Sequence, residues 1–198
     1  MTMEHRGKKP VRKLAWSAML LALGLILPFF TGQIPQVGNM LLPMHLPVLL
    51  CGLICGWRQG MAVGLILPLL RSVLFGMPVL YPKAVAMAFE LAAYGALAGF
   101  CYEKSPWKCI VSLYRALGVA MLGGRMVWGA VMVVLMGLGG SPFTWKLFLA
   151  EAFFNAIPGI LLQLMVIPAL MLAIHRTGMV PMHRHTAGKH PCRAEYKR

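Results

Sequence analysis

The chain has 198 residues, of which 59% are apolar and only 12% charged, and its mean hydropathy is +0.73. Soluble domains carry about 25% charged residues, so a water-facing surface over the whole molecule is excluded. All five acidic residues are Glu, which removes paired-aspartate catalysis, Walker-B-type magnesium sites and EF-hand loops together.

The net charge is +14, carried by 19 Lys and Arg. These residues flank apolar runs rather than forming a continuous stripe. That is the positive-inside pattern of a membrane protein, not a nucleic-acid footprint.

A basic tail, residues 1–13, holds Arg6, Lys8, Lys9, Arg12 and Lys13. Six apolar segments follow. Residues 14–30 resemble a signal peptide in charge and apolar core. They lack a small-x-small cleavage site and precede further spans, so they read as a retained helix. Residues 41–57 are interrupted by Pro43 and Pro47. Residues 60–75 follow after only Arg58 and Gln59, so the two segments read as a tight membrane hairpin. The fourth segment is 84–102. The fifth, 110–138, and the sixth, 145–174, are long enough to tilt or protrude, since a span takes roughly 20 residues. A second basic tail, 176–198, carries His183, His185, His190 and Cys192. It reads as a solvated tail near anionic lipid rather than a metal site.

The expected fold is therefore an all-α integral membrane domain over 14–175, with six transmembrane helices and both termini cytoplasmic. This orientation puts 15 basic residues inside and leaves only Lys83 and Lys146 outside. The outer connections, 31–40, 76–83 and 139–144, are rich in Gly and Pro and poor in charge. They can serve as short connectors or fold over a pocket mouth. Of the cysteines, Cys51, Cys55, Cys101, Cys109 and Cys192 form no zinc pattern; Cys51 and Cys55, one turn apart, read as small buried apolar residues.

Ionisable residues inside spans are costly, by about 2.5–3.5 kcal/mol on insertion scales. This chain places His45, Arg71, Glu90, Arg125 and Glu151 there, with Asn155 and Gln163. At about 1.5 Å per residue from the outer ends, most of them share the outer half of the membrane. Spacing adds companions: Glu90 with Tyr94 and Glu151 with Asn155 at i,i+4, and Arg125 with Trp128 at i,i+3. Apolar and aromatic walls with a few polar groups suit a pocket for a small polar molecule. The candidate substrate-binding residues are His45, Arg71, Glu90, Tyr94, Arg125, Trp128, Glu151 and Asn155. The competing reading has the two Arg and two Glu pairing only to lock helix packing. Arg71 also lies near enough to the surface to snorkel, and Gln163 reads as an interhelical hydrogen bond. The formal charges do not choose the substrate: a carboxylate could engage one Arg, and a neutral polar ring could use the amide, the His and the Trp.

Small-residue pairs occur at Ala18 and Ala22, Gly60 and Gly64, and Gly95 and Gly99, where helices can approach closely. The Ala pair could equally present a smooth face to another membrane subunit. There is no GxxxxGK[ST], HExxH or GxSxG. A binding pocket without its own engine suggests a subunit.

The runs LLPMHLPVLLCGLICGWRQG (41–60), LPLLRSVLFGMP (67–78), AMAFELAAYG (86–95), GRMVWG (124–129) and NAIPGILLQ (155–163) resemble the substrate-binding S component of energy-coupling factor (ECF) vitamin transporters. The PMH-x-PVLL-x-G stretch is most similar to pantothenate-type members. The resemblance implies a non-enzymatic, high-affinity vitamin-binding subunit in a prokaryotic plasma membrane. It implies association with a transmembrane T subunit and two cytoplasmic ATPases, and release of substrate inside by reorientation. It implies that Ala18 and Ala22 meet the T subunit. No cofactor or metal is expected. Other vitamins or precursors (pyridoxine, hydroxymethylpyrimidine, folate) are alternatives. An intramembrane enzyme using His45 and Glu90, or a scaffold, is more distant.

Overall fold

The computed structural model describes residues 4–30, 43–105, 110–138 and 157–176. The described residues are helical, with no strand among them. The α-helices are α1 (Glu4–Phe30), α2 (His45–Cys55), α3 (Trp57–Phe75), α4 (Val85–Lys104), α5 (Ile110–Leu138) and α6 (Ile157–Arg176), with a π-helical turn, Leu80–Ala84, leading into α4. Among the described residues, four stretches are long and apolar enough to cross a membrane: Val11–Phe29, Trp57–Phe75, Leu80–Lys104 and Ile110–Gly137. His45–Cys55 and Gly159–Ile174 are shorter apolar helices.

Two expectations from sequence shift. The proline-interrupted second segment is an uninterrupted helix from His45. Pro47 is its third residue, where no intrahelical acceptor awaits the missing N–H. The break before α3 falls at Gly56, not at Arg58 and Gln59, which lie in the first turn of α3. Gly56 takes φ 105°, a conformation L side chains rarely adopt, and its N–H donates to the Gly52 carbonyl at 3.1 Å. A single glycine thus reverses the chain within the bundle.

Helix α4 is the hub, packed against α2, α3 and α5, while α6 leans on α5 and α2. Glycines set the closeness of this core. A methyl at Gly60 would lie 2.6 Å from the Gly52 Cα, and one at Gly99 would lie 2.6 Å from the Trp57 Cα. Gly95 would drive a methyl into the Gly60 carbonyl. Backbone-to-backbone contact of this kind replaces the hydrophobic drive that lipid removes. Leu49, Leu67, Leu91, Leu113, Leu117, Ile167 and Met171 fill the remaining interior. Val73, Leu122, Met126 and Met165 face outward, as a lipid-covered surface allows.

Helix α1 packs on α2 and α3. Cys51 and Cys55 are buried free thiols, and Cys51 Sγ donates to Ser17 Oγ at 3.5 Å. Ala18 and Ala22 are exposed, while Ser17, Leu20 and Gly24 turn inward. At the other end of the bundle, the Tyr81 hydroxyl donates to the Leu135 carbonyl at 2.7 Å. Leu135 lies in the last turn of α5 as described. The connection before α4 is thereby fastened to the end of α5.

Gly95→Ala should destabilise the chain by about 1–3 kcal/mol, because backbone cannot yield to the added carbon. A methyl added at Gly118 would meet nothing within 4 Å. Gly118→Ala should be neutral or stabilising by about 0.5–1 kcal/mol. Thermal unfolding of the detergent-solubilised variants separates the two.

Candidate functional site

Three helices bring polar side chains to one place. The first turn of α2 supplies His45, α4 supplies Glu90 and, one turn on, Tyr94, and α5 supplies Arg125 and, one turn on, Trp128. Arg125 Nη1 lies 3.1 Å from Glu90 Oε1, and His45 Nε2 lies 3.7 Å from the same oxygen. The His45 and Tyr94 rings meet edge to face, with centroids 5.0 Å apart at 77°. All five residues are buried, from 1% exposure for His45 and Tyr94 to 8% for Trp128.

Local sequence explains the convergence. Gly124 precedes Arg125, and a methyl there would sit 3.0 Å from the Tyr94 ring. The bare α-carbon lets that ring lie close against α5; an added methyl would press on it by a few tenths of an ångström. Toward the start of α4 and the end of α5, Ala86, Trp128 and Met132 form a small apolar cluster. Ala86 is one turn from Glu90, and Met132 is one turn from Trp128. The ionic group is therefore flanked by an indole and a thioether.

The group is rich in unmade hydrogen bonds. Arg125 Nε and Nη2 and both ring nitrogens of His45 are buried without a hydrogen-bond partner among the described residues. Buried polar atoms are almost always paired, and each unmade bond costs about 1–3 kcal/mol. The arrangement can hold a small molecule with acceptor and donor groups. The guanidinium already meets Glu90 through Nη1. Its Nε and Nη2 share the opposite edge and point as two parallel donors.

Not every expected residue joins this cluster. Arg71 donates from Nη1 to the Leu25 carbonyl of α1 at 3.2 Å. Its guanidinium carbon lies 5.7 Å from the Phe29 ring and 5.9 Å from the Phe75 ring, which themselves meet edge to face at 4.9 Å. It is buried rather than snorkelling, and it ties α1 to α3. The alternative of two locking ion pairs is met by one among the described residues, Arg125 with Glu90, to which His45 adds a longer contact. Glu151 and Asn155 lie outside the described residues. Gln163 is buried on α6, and its Nε2 has no partner among the described residues, so the expected interhelical bond does not form through that nitrogen there.

Sequence reading missed Gly124, Ala86 and Met132. The last two were accessible as positions one turn from Glu90 and Trp128. The role of Gly124 depends on where Tyr94 points, which spacing on α4 does not give.

These features define a helical membrane protein that gathers a compact, buried polar group inside an apolar body. The family model for the substrate-specific component of ECF transporters matches residues 12–175. The chain belongs to that family, a family of transporter subunits rather than enzymes, which work with a T subunit, ATPases and a small-molecule substrate. Comparison with curated proteins gives no match.

Arg71→Met should lower thermal stability while leaving ligand affinity within about threefold, because its contacts are to α1 backbone and two rings. A calorimetric titration beside a melting curve checks this. Loss of affinity with unchanged melting would place Arg71 in the binding site instead.

Proposed function

We propose that this subunit captures a vitamin from the outer side of a prokaryotic plasma membrane, with pantothenate as the substrate. Release inside follows reorientation driven by a T subunit and two ATPases. The observation that carries the reading is the buried group of His45, Glu90, Tyr94, Arg125 and Trp128, with donors on Arg125 that find no partner among the described residues. Such a group in a lipid-facing helical body has no evident use as packing alone. Glu151 and Asn155 complete the proposed binding set. The pantothenate assignment is supported by the sequence around His45, PMHLPVLLCG, and by a carboxylate suiting two parallel guanidinium donors.

Binding requires no covalent step and no cofactor. The substrate exchanges water for fixed donors and an aromatic wall, and the apolar surround excludes competing water. The proposed topology has six spans with both termini cytoplasmic, supported by the excess of basic residues on that side. The proposed docking face for the T subunit is the exposed side of α1 at Ala18 and Ala22.

Purified wild-type chain should bind pantothenate tightly and in one-to-one ratio by calorimetric titration. Pyridoxine, hydroxymethylpyrimidine and folate should bind at least about 100-fold more weakly. Preference for one of these would replace pantothenate as the substrate. Ala18→Leu and Ala22→Leu should abolish co-purification with the T subunit while leaving vitamin affinity within about threefold. Loss of vitamin binding in these variants would make that seam internal.

A further inference from the structure

Arg125 meets Glu90 through Nη1 at 3.1 Å, whereas its Nε and Nη2 have no hydrogen-bond partner among the described residues. In a guanidinium, Nε–H and one N–H of Nη2 lie on the same edge and run parallel, spaced to match the two oxygens of a carboxylate. The side chain is 9% exposed, so water is a poor substitute on that edge. We infer that the site is built for a ligand with a single carboxylate, held bidentately on the Nε–Nη2 edge of Arg125, and that Glu90 limits the ligand to one negative charge there. The inference rests on the proposed vitamin-binding role and deepens it by assigning the group that holds the carboxylate and the group that limits the ligand's charge.

The limit follows from charge. The Glu90 carboxylate and the Arg125 guanidinium cancel formally. One ligand carboxylate can still be accepted, because Arg125 offers it two charge-assisted hydrogen bonds that nothing else in the described structure makes. The neighbouring His45 nitrogens, which find no partner among the described residues, add a nearby dipole. A second negative charge finds no cation left: among the described residues Arg71 is engaged with Leu25, Phe29 and Phe75. The Glu90 carboxylate repels such a charge in surroundings of low dielectric. Glu90 is thus a specificity-determining and positioning residue: it fixes which guanidinium edge faces the ligand and sets the tolerated charge.

Calorimetric titration of the full chain in nanodiscs tests this with matched probes: pantothenate, its uncharged alcohol pantothenol, its phosphate ester, and the neutral vitamins pyridoxine and hydroxymethylpyrimidine. Wild type should prefer pantothenate to pantothenol by at least about 30-fold, and should reject the phosphate ester. Arg125→Gln should weaken the acid by about 100-fold and bring acid and alcohol within about threefold of each other, since two charge-assisted bonds are lost. Removing Arg125 strands the Glu90 charge, so the Glu90→Gln, Arg125→Gln double variant is measured as well; it should fold and show the same loss of preference. Glu90→Gln alone should keep the preference for acid over alcohol, and should improve the phosphate ester relative to the acid by at least about tenfold. A structural role for Glu90 would weaken all probes together. Equal affinity of wild type for acid and alcohol, or tight binding of a neutral vitamin only, overturns the inference while the vitamin-receptor reading stands. Binding of none of the probes overturns both.

Discussion

A carboxylate and a guanidinium buried in a helical bundle within lipid must compensate one another. Glu90 and Arg125 do so at 3.1 Å, with His45 on the same carboxylate oxygen. Breaking such a pair by removing one partner costs about 3–5 kcal/mol, because it leaves an unpaired buried charge. The pair fixes α4 against α5, and through His45 it fixes the first turn of α2. Among the described residues its donors are not fully matched, and that shortfall is what the proposed binding role rests on. A group retained only for helix locking would have its donors matched within the protein.

The close fit of α4 among its neighbours makes this placement possible. Gly52, Gly60, Gly95 and Gly99 let backbones touch, so α2, α3 and α4 pack closely, each against the other two. Gly56 turns the chain between α2 and α3 without a loop. Gly124 then leaves room for the Tyr94 ring beside Arg125. The polar group is thereby held by backbone contacts that leave little freedom to relax. Such rigidity suits a receptor that recognises its ligand by preformed geometry. The exposed face of α1 at Ala18 and Ala22 lies apart from the polar group's own residues on α2, α4 and α5.

Much of this was legible in the sequence. The apolar runs gave α3, α4 and α5 within about three residues of their observed bounds, whereas α1 runs back to Glu4 through the expected basic tail and the described part of the sixth segment is helical from Ile157; the family resemblance is shown by the match over 12–175. The spacing of Glu90 with Tyr94 and of Arg125 with Trp128 placed each pair on one face, because helical geometry fixes that locally. The place of Arg71 apart from the other polar residues was hidden for the opposite reason. Its fate depends on the Leu25 carbonyl and the Phe29 ring, which reach it only through the packing of α1 on α3, and no local pattern reports that. The turn at Gly56 was misplaced because Arg58 and Gln59 look like a polar loop. In the structure they occupy a helix end, where Arg58 lies over the Trp57 ring at 5.3 Å. Which buried donors lack partners is likewise invisible without three dimensions.

An experimental density map of the chain purified from its native membrane, at a resolution that shows side-chain forks, tests the central claim most directly. The account predicts a non-protein molecule between α2, α4 and α5, with an acceptor within about 3 Å of both Arg125 Nε and Nη2. A map in which that guanidinium edge is closed off by the protein's own groups, with no space for a small molecule, would contradict it.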